Sequence, residues 1–330
     1  MNSSPAATKA PEMSCLRLKE ILSRFPSLRI AVVGDLFLDK WLEIDRSLDE
    51  VSLETGLTAY QVTAKRLFAG AAGTVLSNLS ALEVGELYAL GFVGDDGEGF
   101  ELRRILQNLG VNSDALVVSD TLMTPTYTKP VFRRDTGEEE TNRLDHRNIH
   151  PTPRDVEERI IDSIRKVLPK VDALIALDQL TSPGVGVLSP RVREELGKAA
   201  LAYPEVIFYA DSRAFITEFR NMIVKCNDAE ALRLFYPEAR DRADGEKLEE
   251  CLRRLAEITG RRVFITCGER GVLGTDENGR PSLVPALAQG GKIDIVGAGD
   301  ACTSGIVTTL CCGGTAPEAA FVGNLVSSIT

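Results

Sequence analysis

The chain is poor in the side chains on which many metal-dependent and nucleophilic enzymes are built. It carries two histidines in 330 residues, His146 and His150, flanking a polar stretch. A histidine metal site or a Ser–His–Asp arrangement has little to be made from, and both histidines read as solvent-facing loop residues. Seven cysteines are scattered without a C-x-x-C spacing, and Cys311-Cys312 are adjacent in a helical stretch. That usage reads as reduced thiols in a cytoplasmic protein, not as a disulfide framework or zinc site. No apolar run reaches membrane-spanning length, and Met1 to Lys9 lacks the apolar core of a signal peptide, so no membrane partner is expected. Basic clusters are missing too. Net charge is −10, and Arg133-Arg134 and Arg261-Arg262 are too sparse to make a nucleic-acid surface. No G-x-G-x-x-G follows the first apolar strand, which argues against a dinucleotide oxidoreductase.

What remains is ordinary in composition, 44% apolar and 26% charged, and regular in pattern. Short β-branched runs alternate with amphipathic helical spacing, the signature of an α/β fold. The strands read at Leu28–Gly34, Glu86–Phe92, Ala173–Asp178, Val206–Asp211, Ile223–Asn227 and Arg262–Thr266. Helices read at Leu16–Phe25, Phe100–Leu109, Val156–Leu168, Arg191–Ala202, Ala229–Phe235, Glu246–Ile258, from Ala301 onward and from Pro317 onward. The rhythm breaks at 124–144, where two polar extended runs flank Asp135-Thr136-Gly137. That is a hairpin signal and a candidate lid, on which Lys129 and Arg133 read as solvated charges. A second hairpin is signalled around Glu277-Asn278-Gly279. Residues 1–14 read as a disordered tail ahead of one domain over 15–330, with lid segments at about 36–60 and 124–145.

Acids collect where strands end. Asp35, Asp178 and Asp211 each close a strand, on the edge where open α/β sheets gather ligands. Asp35 and Asp39 are either turn caps or acceptors for sugar hydroxyls. Gly70-Ala71-Ala72-Gly73-Thr74 opens a helix with small residues, which serves either a closely approaching ligand or tight helix–sheet packing. Near the C-terminus, Asp294-Ile295-Val296-Gly297-Ala298-Gly299-Asp300 leads into a helix. Glycines let unpaired N–H groups crowd together at a helix N-terminus. The stretch is either a phosphate cradle with Asp300 placed as a base or a glycine turn with an aspartate cap.

Taken in order, these features resemble the ribokinase-like (PfkB) carbohydrate kinase family from Arg29 onward. Asp294 to Asp300 is similar to the D-T-x-G-A-G-D signature, with Ile295 in place of threonine. The resemblance implies an anion hole at Gly297, Ala298 and Gly299 and a catalytic base at Asp300. Gly70 to Thr74 looks like the G-G-x-x-x-N motif, with Ala69 and Thr74 in place of glycine and asparagine. Asn227-Asp228-Ala229-Glu230 matches N-x-x-E, which implies that Asn227 and Glu230 serve the Mg²⁺–phosphate assembly, Glu230 on the metal side; taken alone, Glu230 is a first-turn helix acid. Thr266, Gly268 and Gly271 fall in a T-x-G-x-x-G turn that lies along the nucleotide, and Asn324 matches a position near the adenine. Gly94 to Gly99 is similar to a G-x-D-x-x-G corner that is mostly structural.

Within the family the likeness is strongest to bacterial heptose 7-phosphate kinases, through Val33 to Asp39, Thr126 to Lys129, Asn142 to Asp145, Gly186 to Pro190 and Asp211-Ser212-Arg213. The stretch Thr181 to Gly186 departs from the Asp-Tyr-Gly-Lys-Gly phrase of those kinases and has no lysine to meet a substrate phosphate. After Ser327-Ser328-Ile329-Thr330 the family usually continues through a segment that closes the nucleotide site and often completes a monovalent-cation site.

The resemblance implies a three-layer fold: a mainly parallel central sheet, helices on both faces and a small β lid. The implied activity is an ATP-dependent sugar kinase acting on a sugar or sugar phosphate, possibly of heptose type. Asp35, Asp39, Gly70, Thr74 and Asp178 contact the sugar, and ATP, Mg²⁺ and in some members a monovalent cation are the cofactors. Relatives often dimerise through the lid, so a homodimer is the implied assembly. The competing reading is a catalytically idle sugar- or nucleotide-binding protein on the same fold.

Overall fold

Strands that are apolar at every position need cover on both faces. In the computed structural model, which describes residues 8–9, 13–134, 137–238, 245–276, 279–287 and 297–329, they have it. Ala173–Asp178 is buried throughout and Arg29–Gly34 at all but its first residue. Because side chains alternate along a strand, Ile30, Val32, Ala173 and Ile175 enter one core, and Ala31, Val33, Leu174 and Ala176 enter the other. Helices Ala72–Ala81, Gly97–Asn108, Ala298–Cys311 and Ala316–Ser327 close the first core. Helices Arg154–Val167, Pro190–Ala202, Asp228–Phe235 and Gly245–Thr259 close the second. These are the three layers that the family resemblance implies.

Among the described residues the central sheet has ten strands. In spatial order they are Val111–Asn112, Glu86–Leu90, Arg29–Gly34, Ala173–Asp178, Ile207–Ser212, Ile223–Asn227, Val263–Thr266, Val272–Thr275, Pro281–Val284 and Thr8–Lys9. Pairing is parallel except on the two sides of Val272–Thr275, the hairpin signalled by Glu277-Asn278-Gly279. Residues 277–278 of that turn lie outside the described residues. So does most of the expected tail, 1–7 and 10–12. Thr8 and Lys9, also assigned to the tail, instead pair parallel with Ser282 and Leu283.

The lid is a second sheet and is larger than expected. Leu36–Ile44 lies at its centre, antiparallel to Val62–Ala71 and parallel to Thr126–Arg134. Thr126–Arg134 in turn pairs with Gly137–Glu140, the expected hairpin, and with Leu144–His146. Residues 135–136 of the hairpin turn lie outside the described residues. The first lid segment therefore runs to Ala71 and not to about 60. Val62–Ala71 was illegible because its first seven residues are largely exposed and show no alternation. The Gly94–Gly99 corner anchors the lid: Asp96 caps its helix by accepting from Gly99 N–H at 2.7 Å, and also accepts from Thr124 N–H at 2.8 Å, just before the lid strand.

Candidate active site

Parallel pairing brings the chemistry to one edge. Register partners across neighbouring strands are Leu177 with Gly34, Asp178 with Ser212, Asp211 with Lys225 and Asn227 with Thr266. The strand-ending acids and the N-x-x-E and T-x-G-x-x-G motifs therefore share the C-terminal edge of the sheet.

The helix Ala298–Cys311 points its N-terminus at this edge. Gly297, its N-cap, has φ +84°, a left-handed conformation that side chains beyond glycine resist. The first helical bond described there is Ala301 N–H to Gly297 C=O, so the N–H groups of Ala298, Gly299 and Asp300 face outward at the positive end of the helix. Asp300 is partly exposed. Loss of hydration pushes its carboxyl up to about 7, the charge of Asp211 adding to the shift while Lys225 and Arg213 pull against it. Residues 294–296 of the signature lie outside the described residues.

Beneath this helix end is a buried ion pair. Lys225 Nζ lies 2.7 Å from Asp211 Oδ2, with 5% and 16% of the side chains exposed. Thr303 donates to the same oxygen at 3.3 Å. Burial alone would discharge Lys225, but Asp211 outweighs it and holds the ammonium charged. The sequence did not single out Lys225. Its signal was a lysine inside the otherwise apolar strand Ile223–Asn227.

The residues expected on the sugar side divide into two groups. Thr74 reaches the N-terminus of helix Ala298–Cys311, since a Cβ on Gly297 would stand 3.9 Å from Thr74 Cγ2. A Cβ on Gly70 would meet Asp39 Oδ2 at 2.4 Å, so the glycine makes room for that carboxylate. Asp39 also pairs with Lys129 at 3.3 Å. Lys129 stacks on Trp41, 4.9 Å from the ring centroid, and is mostly covered; it is not the solvated lid charge expected. Arg133 is exposed as expected, although it pairs with Glu43 at 3.0 Å. Between Gly70 and Thr74, Ala71 takes φ +53° and ψ −116°, a strained conformation for a residue with a Cβ, of the kind that clusters at functional sites.

Asp35 and Asp178 are buried and already engaged. Asp35 accepts from Val187 N–H at 2.8 Å and from Gln179 N–H at 3.2 Å, which pins the 179–187 loop to the first strand. Burial pushes its carboxyl up to about 6. Asp178 was expected to contact the sugar. It is 2% exposed and one oxygen accepts from both Arg193 at 3.0 Å and Ser212 at 2.8 Å. Burial raises it to about 7 against the pull of Arg193. Those bonds tie Asp178 to helix Pro190–Ala202 and to the neighbouring strand Ile207–Ser212.

On the nucleotide side, Asn227 and Glu230 form a reciprocal capping box: Asn227 Oδ1 accepts from Glu230 N–H at 2.7 Å, and Glu230 Oε2 accepts from Asn227 N–H at 2.8 Å. Glu230 keeps its second oxygen outside that box. Desolvation raises its carboxyl, opposed by the Asn227 N–H, and the charge of Asp211 raises it further. Among the described residues no group of three or more His, Cys, Asp or Glu side chains forms a metal cage. Glu230 alone offers a carboxylate of the kind that suits Mg²⁺, which takes one or two carboxylates and fills its other positions with waters and phosphates. Thr266 precedes a tight 3₁₀ turn, Gly268–Arg270, with Gly268 and Gly271 at φ +57° and +102°. Asn324 donates to the carbonyls of Val284 and Pro285 at 3.1 Å each, so its amide fixes the strand exit.

Solved structures with this architecture include ribokinase from Thermotoga maritima, with TM-score 0.63 and 17% identity over 92% of each chain. Phosphofructokinase-2 from Escherichia coli, solved with substrates and products, has TM-score 0.65 and 16% identity over 91% of this chain and 92% of its own. The fold is therefore ribokinase-like. The chain belongs to the pfkB family of carbohydrate kinases, whose match runs over residues 29–330. Among curated relatives, the bifunctional protein HldE of Wolinella succinogenes is 29% identical over 312 residues, 94% of this chain and 62% of that protein. HldE of Desulfatibacillum aliphaticivorans is 28% identical, over 93% of this chain and 60% of its own. The chain thus spans about three-fifths of the length of these relatives.

Proposed function

We propose that this carbohydrate kinase transfers the γ-phosphoryl group of ATP to a hydroxyl of a sugar or sugar phosphate, with a heptose as the first candidate. One observation carries the reading: Asp300 stands at the open N-terminus of a helix, beside outward N–H groups, with its carboxyl poised at about 7. An acid there orients the attacking hydroxyl and takes its proton as the new O–P bond forms and the bond to the leaving ADP oxygen breaks. The N–H groups of Ala298, Gly299 and Asp300 meet the charge on the equatorial oxygens. Asp39, with Gly70 making room, grips sugar hydroxyls, and Asp35 holds the loop that walls the site. Mg²⁺, when bound through phosphates and water near Glu230 and Asn227, neutralises phosphate charge. Thr266, Gly268, Gly271 and Asn324 shape the nucleotide side. The lid excludes water from the transferred group.

An ADP-release assay against a panel of sugars and sugar phosphates, heptoses included, tests this. Turnover with at least one acceptor, lost in Asp300→Asn, is the expected result. ATP binding without turnover on any acceptor overturns it and leaves an idle binding protein. We also propose a cytoplasmic setting, and a homodimer formed through the lid, where Val51, Leu53 and Leu57 are exposed. Sedimentation velocity showing only monomer at micromolar concentration would contradict the dimer.

A further inference from the structure

A cleft of about 500 Å³ lies between helix Gly97–Asn108 and the outermost strand of the central sheet, Val111–Asn112, and none of the candidate active-site residues lines it. Phe100, Arg103, Arg104 and Gln107 line it at helical spacing and so form one face of that helix. The Phe100 ring is 60% exposed. Arg103 has no ion-pair partner among the described residues. Two guanidiniums thus face one lining carboxylate, Asp114, in a chain of net charge −10. Asp114 is turned to Asn112, whose side-chain amide donates to it at 3.5 Å. The neighbouring face of the same helix holds the lid. Glu98 pairs with Lys40 at 3.2 Å on strand Leu36–Ile44, and Glu101 with Lys65 at 3.6 Å on strand Val62–Ala71. Glu101 is shared between the two faces, since it also accepts from Arg104 at 2.6 and 2.9 Å. Arg104 is the main cause that holds the Glu101 carboxyl below its ordinary range, and Lys65 contributes less.

We propose that this cleft binds a small phosphomonoester built on an aromatic ring, and that its occupancy tightens the lid through Glu101. Guanidinium forks match the geometry of a phosphate, so Arg103 and Arg104 take the anion while the exposed face of Phe100 takes the ring. A phosphate that recruits Arg104 draws it away from Glu101. Glu101 is then left to Lys65, and strand Val62–Ala71 is held more firmly against the helix. That strand carries Gly70 and pairs with the strand that carries Asp39, so the change reaches the acceptor side of the catalytic site and raises affinity for the acceptor. Exposed ion pairs are individually weak, and the coupling is accordingly small, about two- to five-fold in acceptor KM. The binding half stands on the cleft alone, whereas the effect on KM rests on the kinase reading above.

The probe is phenyl phosphate, with phenol and inorganic phosphate as its two halves. It is titrated calorimetrically into the full chain, with Mg²⁺ and a non-hydrolysable ATP analogue present to fill the phosphate site at Asp300. Expected are saturable binding of phenyl phosphate, weaker binding of either half, and an affinity lower by about tenfold or more in Arg103→Gln/Arg104→Gln. Trp41 is the only tryptophan and stands between Arg66 and Lys129 on the lid, so its emission reports on the lid without turnover. Phenyl phosphate should shift that emission in wild type and lower acceptor KM by about two- to five-fold. Glu101→Gln keeps both arginines and should still bind the probe, but with neither response. If phenyl phosphate fails to bind saturably, or binds the double Gln variant as tightly as wild type, the cleft is not a site and the proposal fails. If it binds and leaves Trp41 emission and KM unchanged, or moves them equally in Glu101→Gln, the coupling through Glu101 is wrong. A wild type that turns over no acceptor overturns the kinase reading alone, because probe binding and Trp41 emission still decide this proposal.

Discussion

At the scale of single residues, the structure separates carboxylates that look alike in sequence. Asp35, Asp178, Asp211 and Asp300 all lie at the functional edge, but Asp178 and Asp211 are held by buried cations while Asp300 faces an open helix end. Asp300→Asn should lower kcat by about 10²–10⁴-fold, the usual share of general acid–base catalysis. Wild-type kcat/KM should fall with unit slope as the pH drops below about 7, where Asp300 gains a proton; an acid limb near pH 4 would contradict this. The same shift acts on folding. Between the ordinary carboxylate range and about 7, the folded chain holds a proton that the unfolded chain has released, so this group's contribution to stability falls as pH rises through that window. Thermal denaturation should therefore find Asp300→Asn ahead of wild type at pH 8 and level with it at pH 4. Arg193→Met breaks the buried pair with Asp178, each side chain 2% exposed. It should cost about 3–5 kcal/mol in denaturant titration.

At the scale of elements, the parallel strands and their helices were legible because their apolar residues are continuous or periodic, as in Ala173–Asp178 and Gly245–Thr259. The N-x-x-E motif was legible because a capping box and a phosphate-side motif make the same demand on sequence. Asn227→Ala removes the cap and should destabilise by about 1 kcal/mol in urea titration, together with weaker nucleotide binding. A variant that loses nucleotide affinity at unchanged stability would contradict the capping geometry. Val62–Ala71 was illegible because both of its faces are exposed or only partly covered along most of its length. The ion pairs of Asp178 and Lys225 were illegible for a different reason: their partners, Arg193 fifteen residues on and Asp211 on a neighbouring strand, are fixed by tertiary packing. Local sequence carries no record of such partners.

At the scale of the whole molecule, a body with two apolar cores carries a five-stranded lid sheet, entered at Asp35 and Thr124 and left at Ala71 and His146. The lid buries Leu36, Phe37, Leu38 and Val131 on its inner strands, but its Gly137–Glu140 strand is exposed throughout, so the amides of that outer strand open more readily than those of the central sheet. Hydrogen exchange should show slow amides in Ala173–Asp178 with or without ligand, and slowing in Leu36–Ile44 and Thr126–Arg134 only when sugar and nucleotide are both present. Unchanged lid exchange on saturation would remove the lid from the account. The most direct test of the central claim, phosphoryl transfer with Asp300 as base, is phosphorus NMR of the protein with MgATP and the acceptor found in the panel. The account predicts that the γ-phosphate signal gives way to a sugar phosphomonoester and ADP in wild type, and persists in Asp300→Asn while ATP still binds. Release of inorganic phosphate in place of a phosphomonoester, or equal product from Asp300→Asn, would contradict it.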